Sequence, residues 1–304
     1  MKKNGARVLI GFLAAVFLAG CMTSKSSQII DNFVPVMVPP ERVASYSRNV
    51  VWIAPGGSKL LVDVSGPEGK GPFPVLVWLH GGSWEFFSKE ANEGLARYIT
   101  NRGYVVMNFN YRMVPEVSMK TIVEDALGAV EWAYDHAAEY NGDPQRMAVA
   151  GHSAGAHLAT MTEVACDEPF FSPTYVSEKG RGCHARAFLP VSGVYDFRKE
   201  DAENPEQTER WMGTSLAADS MLYDKCSPVN YPLSRLPATL VLSADKDFLL
   251  KDNQQWFELI DQAGVKAELY IEPGVTHLWP TWHWKKPAKQ TYDRMIKFLN
   301  ENLN

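Results

Sequence analysis

The sequence predicts an α/β chain in which a mainly parallel sheet is covered by helices on both faces. Strand-like apolar runs alternate with helix-spaced runs from about residue 50 to the end. Pro74–Leu79 is apolar almost throughout, as a strand buried on both faces must be. Arg146–Ala150, a sharp turn through Gly151-His152-Ser153-Ala154-Gly155, and Ala154–Val164 follow one another as strand, turn and helix.

The first residues stand apart from this pattern. Lys2, Lys3 and Arg7 precede an uncharged run from Val8 to Gly20, the layout of a secretion signal. As a membrane span the run is short, because crossing hydrocarbon takes ~20 apolar residues, and as a core helix it lacks a polar face. Leu18-Ala19-Gly20-Cys21 resembles the bacterial lipoprotein box, in which the cysteine becomes the lipidated first residue; an ordinary signal with a chance cysteine is the alternative. The expectation is a lipoprotein signal over residues 1–20, a tether over 21–48 and a folded domain over 49–304. Such a chain is exported to the cell envelope and held on a membrane by lipid at Cys21.

Within the folded domain, Val50–Ile53 and Lys59–Val64 read as an opening antiparallel pair, followed by the Pro74–Leu79 strand. Glu90–Asn101 reads as a helix ended near Gly103, and Tyr104–Asn108 as the next strand. Met119–Tyr140 carries Ile122, Ala126, Ala129, Val130 and Ala133 at helical spacing, and the turn Asn141-Gly142-Asp143-Pro144 leads into Arg146–Ala150. Ala187–Val191, Ala238–Leu242 and Lys266–Ile271 are further strands, with Asp252–Ala263 and Lys289–Leu303 as outer helices. Between Ser192 and Pro237 the alternation stops. This insertion, 192–237, contains Tyr195, Trp211 and Tyr223 and is a candidate cap; surface helices on a long connection are the alternative.

An apolar fraction of 46% furnishes a core for the 304 residues. Lys plus Arg number 30 against 35 Asp plus Glu, a net charge of −5 with no long run of one sign, which gives no electrostatic case for nucleic acid. With Cys21 consumed by lipid, Cys166, Cys183 and Cys226 remain, enough for one disulfide; 166 with 183 and 183 with 226 both fit. No cysteine spacing suggests zinc, and the chemistry below calls for no cofactor.

A serine hydroxyl is a poor nucleophile unless it is exposed, oriented and relieved of its proton by a neighbouring base. Gly151-His152-Ser153-Ala154-Gly155, set between an apolar strand and a helix, meets the first need and makes Ser153 the candidate nucleophile. His80-Gly81-Gly82-Ser83-Trp84 ends an earlier strand. There, main-chain N–H groups of Gly82 and Ser83, with Gly81 shaping the turn and Ala154 adding its own N–H, can hold a developing oxyanion. Chain order places the base late: His277, just past the last strand, is preferred to His283, which leads into the final helix. The acid comes from Ser243-Ala244-Asp245-Lys246-Asp247, where Asp247, farther into the loop, is preferred to Asp245 and Asp252. His157 is expected to pack beneath the turn, and His152 to contact a neighbouring loop. Trp84, Phe86, Phe87, Trp279, Trp282 and Trp284 are candidates to line a substrate pocket or to pack in the core.

His80–Trp84, the segment Asn110-Tyr111-Arg112-Met113-Val114-Pro115-Glu116, Gly142-Asp143-Pro144 and Gly151–Leu158 together resemble the carboxylesterase branch of the α/β hydrolases. The likeness covers about residues 50 to 300 and is greatest to the esterase and arylformamidase group related to hormone-sensitive lipase. It implies the α/β-hydrolase fold, Ser153 as nucleophile, Asp247 as acid because it precedes the apolar pair Phe248-Leu249, and His277 as base. Ser83 stands where many relatives have a third glycine. Ser192-Gly193-Val194-Tyr195-Asp196 is similar to a segment of kynurenine formamidases, which act on a cytosolic metabolite, so hydrolysis of small carboxylic esters ranks ahead of formamide cleavage for an exported chain. A lipid-anchored binding protein that has lost catalysis is the remaining alternative.

Overall fold

The computed structural model describes residues 40–303; the expected signal, Cys21 and the tether up to residue 39 lie outside them. Eight strands form one sheet in the order β1-β2-β4-β3-β5-β6-β7-β8. They are β1 (Ser45–Ile53), β2 (Leu60–Gly66), β3 (Phe73–Leu79), β4 (Val105–Phe109), β5 (Gly142–His152), β6 (Ala185–Val191), β7 (Ala238–Ala244) and β8 (Ala267–Glu272). β2 runs antiparallel to β1 and β4, and every pairing from β4 through β8 is parallel. All parallel strands therefore deliver their C-terminal ends to one edge, where ligands bind in open α/β sheets.

Side-chain alternation along the strands builds two cores. Val75, Val77 and Leu79 of β3 face one layer while Leu76 and Trp78 face the other. The first layer is closed by α2 (Met119–His136), α3 (Ala154–Val164) and α7 (Leu250–Gln262), through residues such as Ile122, Leu158 and Trp256. The second is closed by α1 (Glu93–Thr100) and α8 (Lys286–Leu303), through Ile99, Tyr292 and Leu299. The helices on both faces follow from their apolar stripes.

Several boundaries differ from the sequence reading. The strand expected at Val50 begins at Ser45, so residues 45–48 of the expected tether belong to the sheet. The expected helix Glu90–Asn101 starts as a 3-10 turn, Lys89–Asn92, before α1. The cause is tertiary: the Lys89 ammonium is fully buried against Asp63 at 2.9 Å and Glu90 at 2.6 Å, while Asn110 Oδ1 accepts from the Lys89 N–H at 2.7 Å. α2 gives way to a 3-10 turn, Ala137–Tyr140, which Asn141 ends in the left-handed region at φ 64°.

Residues 192–237 contain three short helices, α4 (Phe197–Glu203), α5 (Pro205–Met212) and α6 (Ser220–Lys225). Cys166 pairs with Cys183 at a Cα–Cα distance of 5.3 Å, which decides between the two pairings the sequence left open, and Cys226 is a buried free thiol. No helix among the described residues is long and apolar enough to cross a membrane.

Candidate active site

β5 ends at His152 and α3 begins at Ala154, leaving Ser153 as the single residue of the turn, at φ 57° and ψ −120°. Glycine is required beside it because a Cβ on Gly155 would lie 2.1 Å from Leu79 O and 2.4 Å from His80 O. Leu79 and His80 come from β3 and the turn after it, so the same tight approach that creates the elbow brings β3's terminal turn against it.

His277 Nε2 lies 2.8 Å from Ser153 Oγ, and His277 Nδ1 lies 2.9 and 3.0 Å from the two oxygens of Asp247. Asp247 and His277 follow the C-terminal ends of β7 and β8, so the sheet edge itself gathers the three residues. Asp247 is 7% exposed, and burial by itself would raise its carboxyl. Hydrogen bonds from His277, the His277 charge, Ser192 Oγ at 2.5 Å and the Leu249 N–H at 2.9 Å outweigh that cost and hold it below the ordinary carboxylate range. A carboxylate so held fixes which imidazole nitrogen carries the proton and leaves the other free to accept from the serine hydroxyl.

The turn after β3 is shaped by positive backbone angles, at φ 123° for Gly82, 53° for Ser83 and 58° for Trp84. A Cβ on Gly82 would fall 2.0 Å from Phe86 O, so this position admits glycine alone. Ser83 adopts the left-handed region without being glycine. Gly81, Gly82 and Ser83 line one pocket with Ser153 and His277. Among the described residues, the N–H groups of Gly82, Ser83 and Ala154 donate to no protein acceptor. Free main-chain donors beside a half-buried serine that lines the pocket are the arrangement that can stabilise a tetrahedral oxyanion.

The neighbouring histidines are structural. His157 Nδ1 accepts from Trp84 Nε1 at 3.1 Å, and its Nε2 donates to Cys226 O at 2.8 Å; burial lowers its pKa to about 4. His152 Nε2 donates to His277 O at 2.9 Å, the loop contact expected of it, and burial together with the His277 charge brings its pKa to about 3. The less favoured candidates for acid and base are occupied elsewhere. Asp245 accepts from the Gly274 N–H at 2.8 Å, Asp252 pairs with Lys199, and the His283 ring lies against Gly94 of α1.

Of the six aromatic candidates, Phe87 lines the pocket; Trp84 and Trp279 are buried in the two cores. No residue of 192–237 lines this pocket. This segment, candidate cap or surface helices on a long connection, meets the turn after β3, with the Trp211 ring 4.9 Å from Trp84 and Arg210 2.8 Å from Glu85. Two participants stand outside the expected set. Ser192 enters the sequence reading only through the segment that resembles formamidases, though its place at the end of β6 puts it on the site edge. Phe248, 73% exposed with its ring 4.5 Å from that of His277, enters it only as a marker for the acid.

The BD-FAE family model matches residues 62–257, well over half of the chain, and takes in the turn after β3, Ser153 and Asp247. The chain belongs to the BD-FAE family. This BD-FAE member is also 27% identical over 259 residues to "Esterase LipQ" of Mycobacterium tuberculosis, an alignment spanning 81% of this chain and 60% of that protein. It is 30% identical over 217 residues to "Carboxylesterase NlhH" of the same species, spanning 67% of this chain and 66% of the relative. The chain thus spans less than two thirds of either curated relative. A Pyrobaculum calidifontis esterase superposes with a TM-score of 0.76 at 21% identity, covering 93% of this chain and 95% of the other. The metagenomic carboxylesterase EstE1 does so at 0.77 and 20%, covering 92% and 96%. The fold is the α/β-hydrolase fold expected from the sequence.

Proposed function

We propose that the chain hydrolyses small carboxylic esters through an acyl-enzyme on Ser153. The observation that carries this reading is the unbroken line from Ser153 Oγ through His277 to Asp247, at 2.8 Å and then 2.9 Å. Ser153 Oγ attacks the ester carbonyl carbon as His277 Nε2 takes its proton, and Asp247 stabilises the imidazolium that forms. The N–H groups of Gly82, Ser83 and Ala154, with Gly81 holding the turn, receive the oxyanion. Collapse of this intermediate breaks the carbonyl–alkoxy bond, and His277 returns the proton to the departing alcohol. Water then attacks the acyl-enzyme, again giving its proton to His277, and the acid leaves as Ser153 Oγ is reprotonated.

The names of LipQ and NlhH support ester cleavage. The segment that resembles formamidases does not favour amide cleavage here, since Ser192 serves to hold Asp247, a task common to both reactions. p-Nitrophenyl acetate and butyrate test the reading: wild type turns them over and Ser153→Ala does not, whereas full activity in that variant overturns it. A fluorophosphonate probe separates this from the inactive binding protein, which would remain unlabelled.

The basic start, the apolar run and the Leu18–Cys21 box further support export and lipid anchoring at Cys21. Cys21→Ala then moves the protein from the membrane fraction to the soluble one, and unchanged fractionation overturns the anchor.

A further inference from the structure

Asn92 forms part of the wall of the Ser153 pocket, beside Phe87, Ala91, Leu278 and Thr281. It sits at the N-cap of α1, where an asparagine side chain ordinarily accepts from a first-turn N–H, yet it makes no cap bond. The residue is 2% exposed, and its Nδ2 is buried without a hydrogen-bond partner among the described residues. A buried amide donor left unpaired is disfavoured, and native structures retain few of them. Apolar pockets use a small number of such groups to orient what they bind.

Thr281 supplies the matching half. The turn Trp279–Thr281 packs against α1, and Thr281 Oγ1 gives its one proton to Leu278 O at 2.8 Å, so in any further bond it can only accept. Asn92, with its unpaired donor, and Thr281, with a hydroxyl left only to accept, thus line the same pocket beside the apolar Phe87, Ala91 and Leu278. An alkyl chain answers neither group. A hydroxyl answers both, and an ether oxygen answers the donor.

Resting on the serine-hydrolase reading, we propose that Asn92 is a specificity-determining residue. Its Nδ2 donates to a hydroxyl or ether oxygen that the substrate carries apart from its reacting ester group. Preferred substrates are oxygenated esters rather than plain alkyl ones.

The test uses matched esters in which one methylene is replaced by oxygen, or one methyl by hydroxyl, at successive positions of the acyl chain and then of the alcohol chain. The quantity read is the oxygen-to-methylene ratio of kcat/KM. Comparing that ratio between proteins cancels the intrinsic reactivity of each ester. At one position it should fall by about 10-fold in Asn92→Leu, the size of a single lost hydrogen bond. Asn92→Asp, equal in size but lacking the donor, should lose the ether preference too and carries the comparison if the leucine variant does not fold. Equal ratios in wild type and both variants at every position overturn the assignment. Absence of turnover of every ester by wild type is a different result: it overturns the hydrolase reading and the assignment with it.

Discussion

Trp84 Nε1 donates a hydrogen bond to His157 Nδ1 at 3.1 Å, tying the turn that follows β3 to the helix that follows Ser153. The bond requires His157 to be neutral, because Nδ1 must accept while Nε2 donates to Cys226 O. Two pieces of the site, distant in sequence, are thereby held at one separation. Trp84→Phe keeps the ring packing but leaves Nδ1 unpaired in the core, at a cost of about 1–3 kcal/mol. A lower melting temperature is expected, with kcat reduced about 10-fold as the oxyanion donors lose their fixed position. Melting curves and p-nitrophenyl butyrate kinetics check both effects.

Ser192 Oγ reaches Asp247 Oδ2 at 2.5 Å. Removing a hydrogen bond to a charged acceptor costs about 1.5–3 kcal/mol, so Ser192→Ala should lower kcat/KM about 10-fold or more. Ser192→Thr, which retains the hydroxyl, should restore much of it. Asp247→Asn should fall about 10⁴-fold in kcat, since the amide disfavours the required imidazole tautomer.

Acid should destabilise the protein well before ordinary carboxylates protonate. Burial lowers His80 and His157 to about 4, and burial with the His277 charge lowers His152 to about 3, all from 6.5. Between those values the unfolded chain binds protons that the folded chain refuses, so their contribution is complete above 6.5 and is lost as pH falls toward 4. A tenfold difference in proton affinity between the two states corresponds to about 1.4 kcal/mol, which makes the combined loss several kcal/mol in order of magnitude. Melting temperature measured from pH 7 down to pH 4 should decline steadily.

Glu163 of α3 acts in the opposite sense. Burial raises its carboxyl to about 8 from 4.5. Thr162 Oγ1 gives its proton to Ala159 O at 2.8 Å, which suits Glu163 Oε1, 3.2 Å away, to act as a protonated donor. Stability held by the neutral acid is complete below 4.5 and is lost as pH rises through 8. Glu163→Gln should therefore raise the melting temperature at pH 8 to 9 and change it little near pH 4.

The Cys166–Cys183 bridge closes a separation of 17 residues. A loop of that length contributes about 3 kcal/mol in the chain-entropy account. Reduction, or the double change Cys166→Ala with Cys183→Ala, should lower the melting temperature, and loss of Cys226 alone should leave the reducible bond intact.

The α/β alternation, the two-faced central strands and the glycine-flanked serine were legible in the chain because each is a local pattern. Apolar periodicity states which face is buried, and Gly151 is demanded by a turn only a few residues long, since a Cβ there would lie 2.2 Å from Gly155 O. Ser153, Asp247 and His277 could be placed in order because each follows the end of a strand, and parallel strands end on one edge. What no local pattern carries is which side chain meets which across the sheet. That Asp245 turns to the Gly274 amide while Asp247 meets His277, that Ser192 reaches Asp247, that Cys183 takes Cys166, and that the insertion meets Trp84 while Asn92 forms part of the pocket wall were all decided in three dimensions. These choices depend on distances between residues far apart in sequence, as for Ser153 and His277 at a separation of 124, and only the packed sheet with its helices sets those distances.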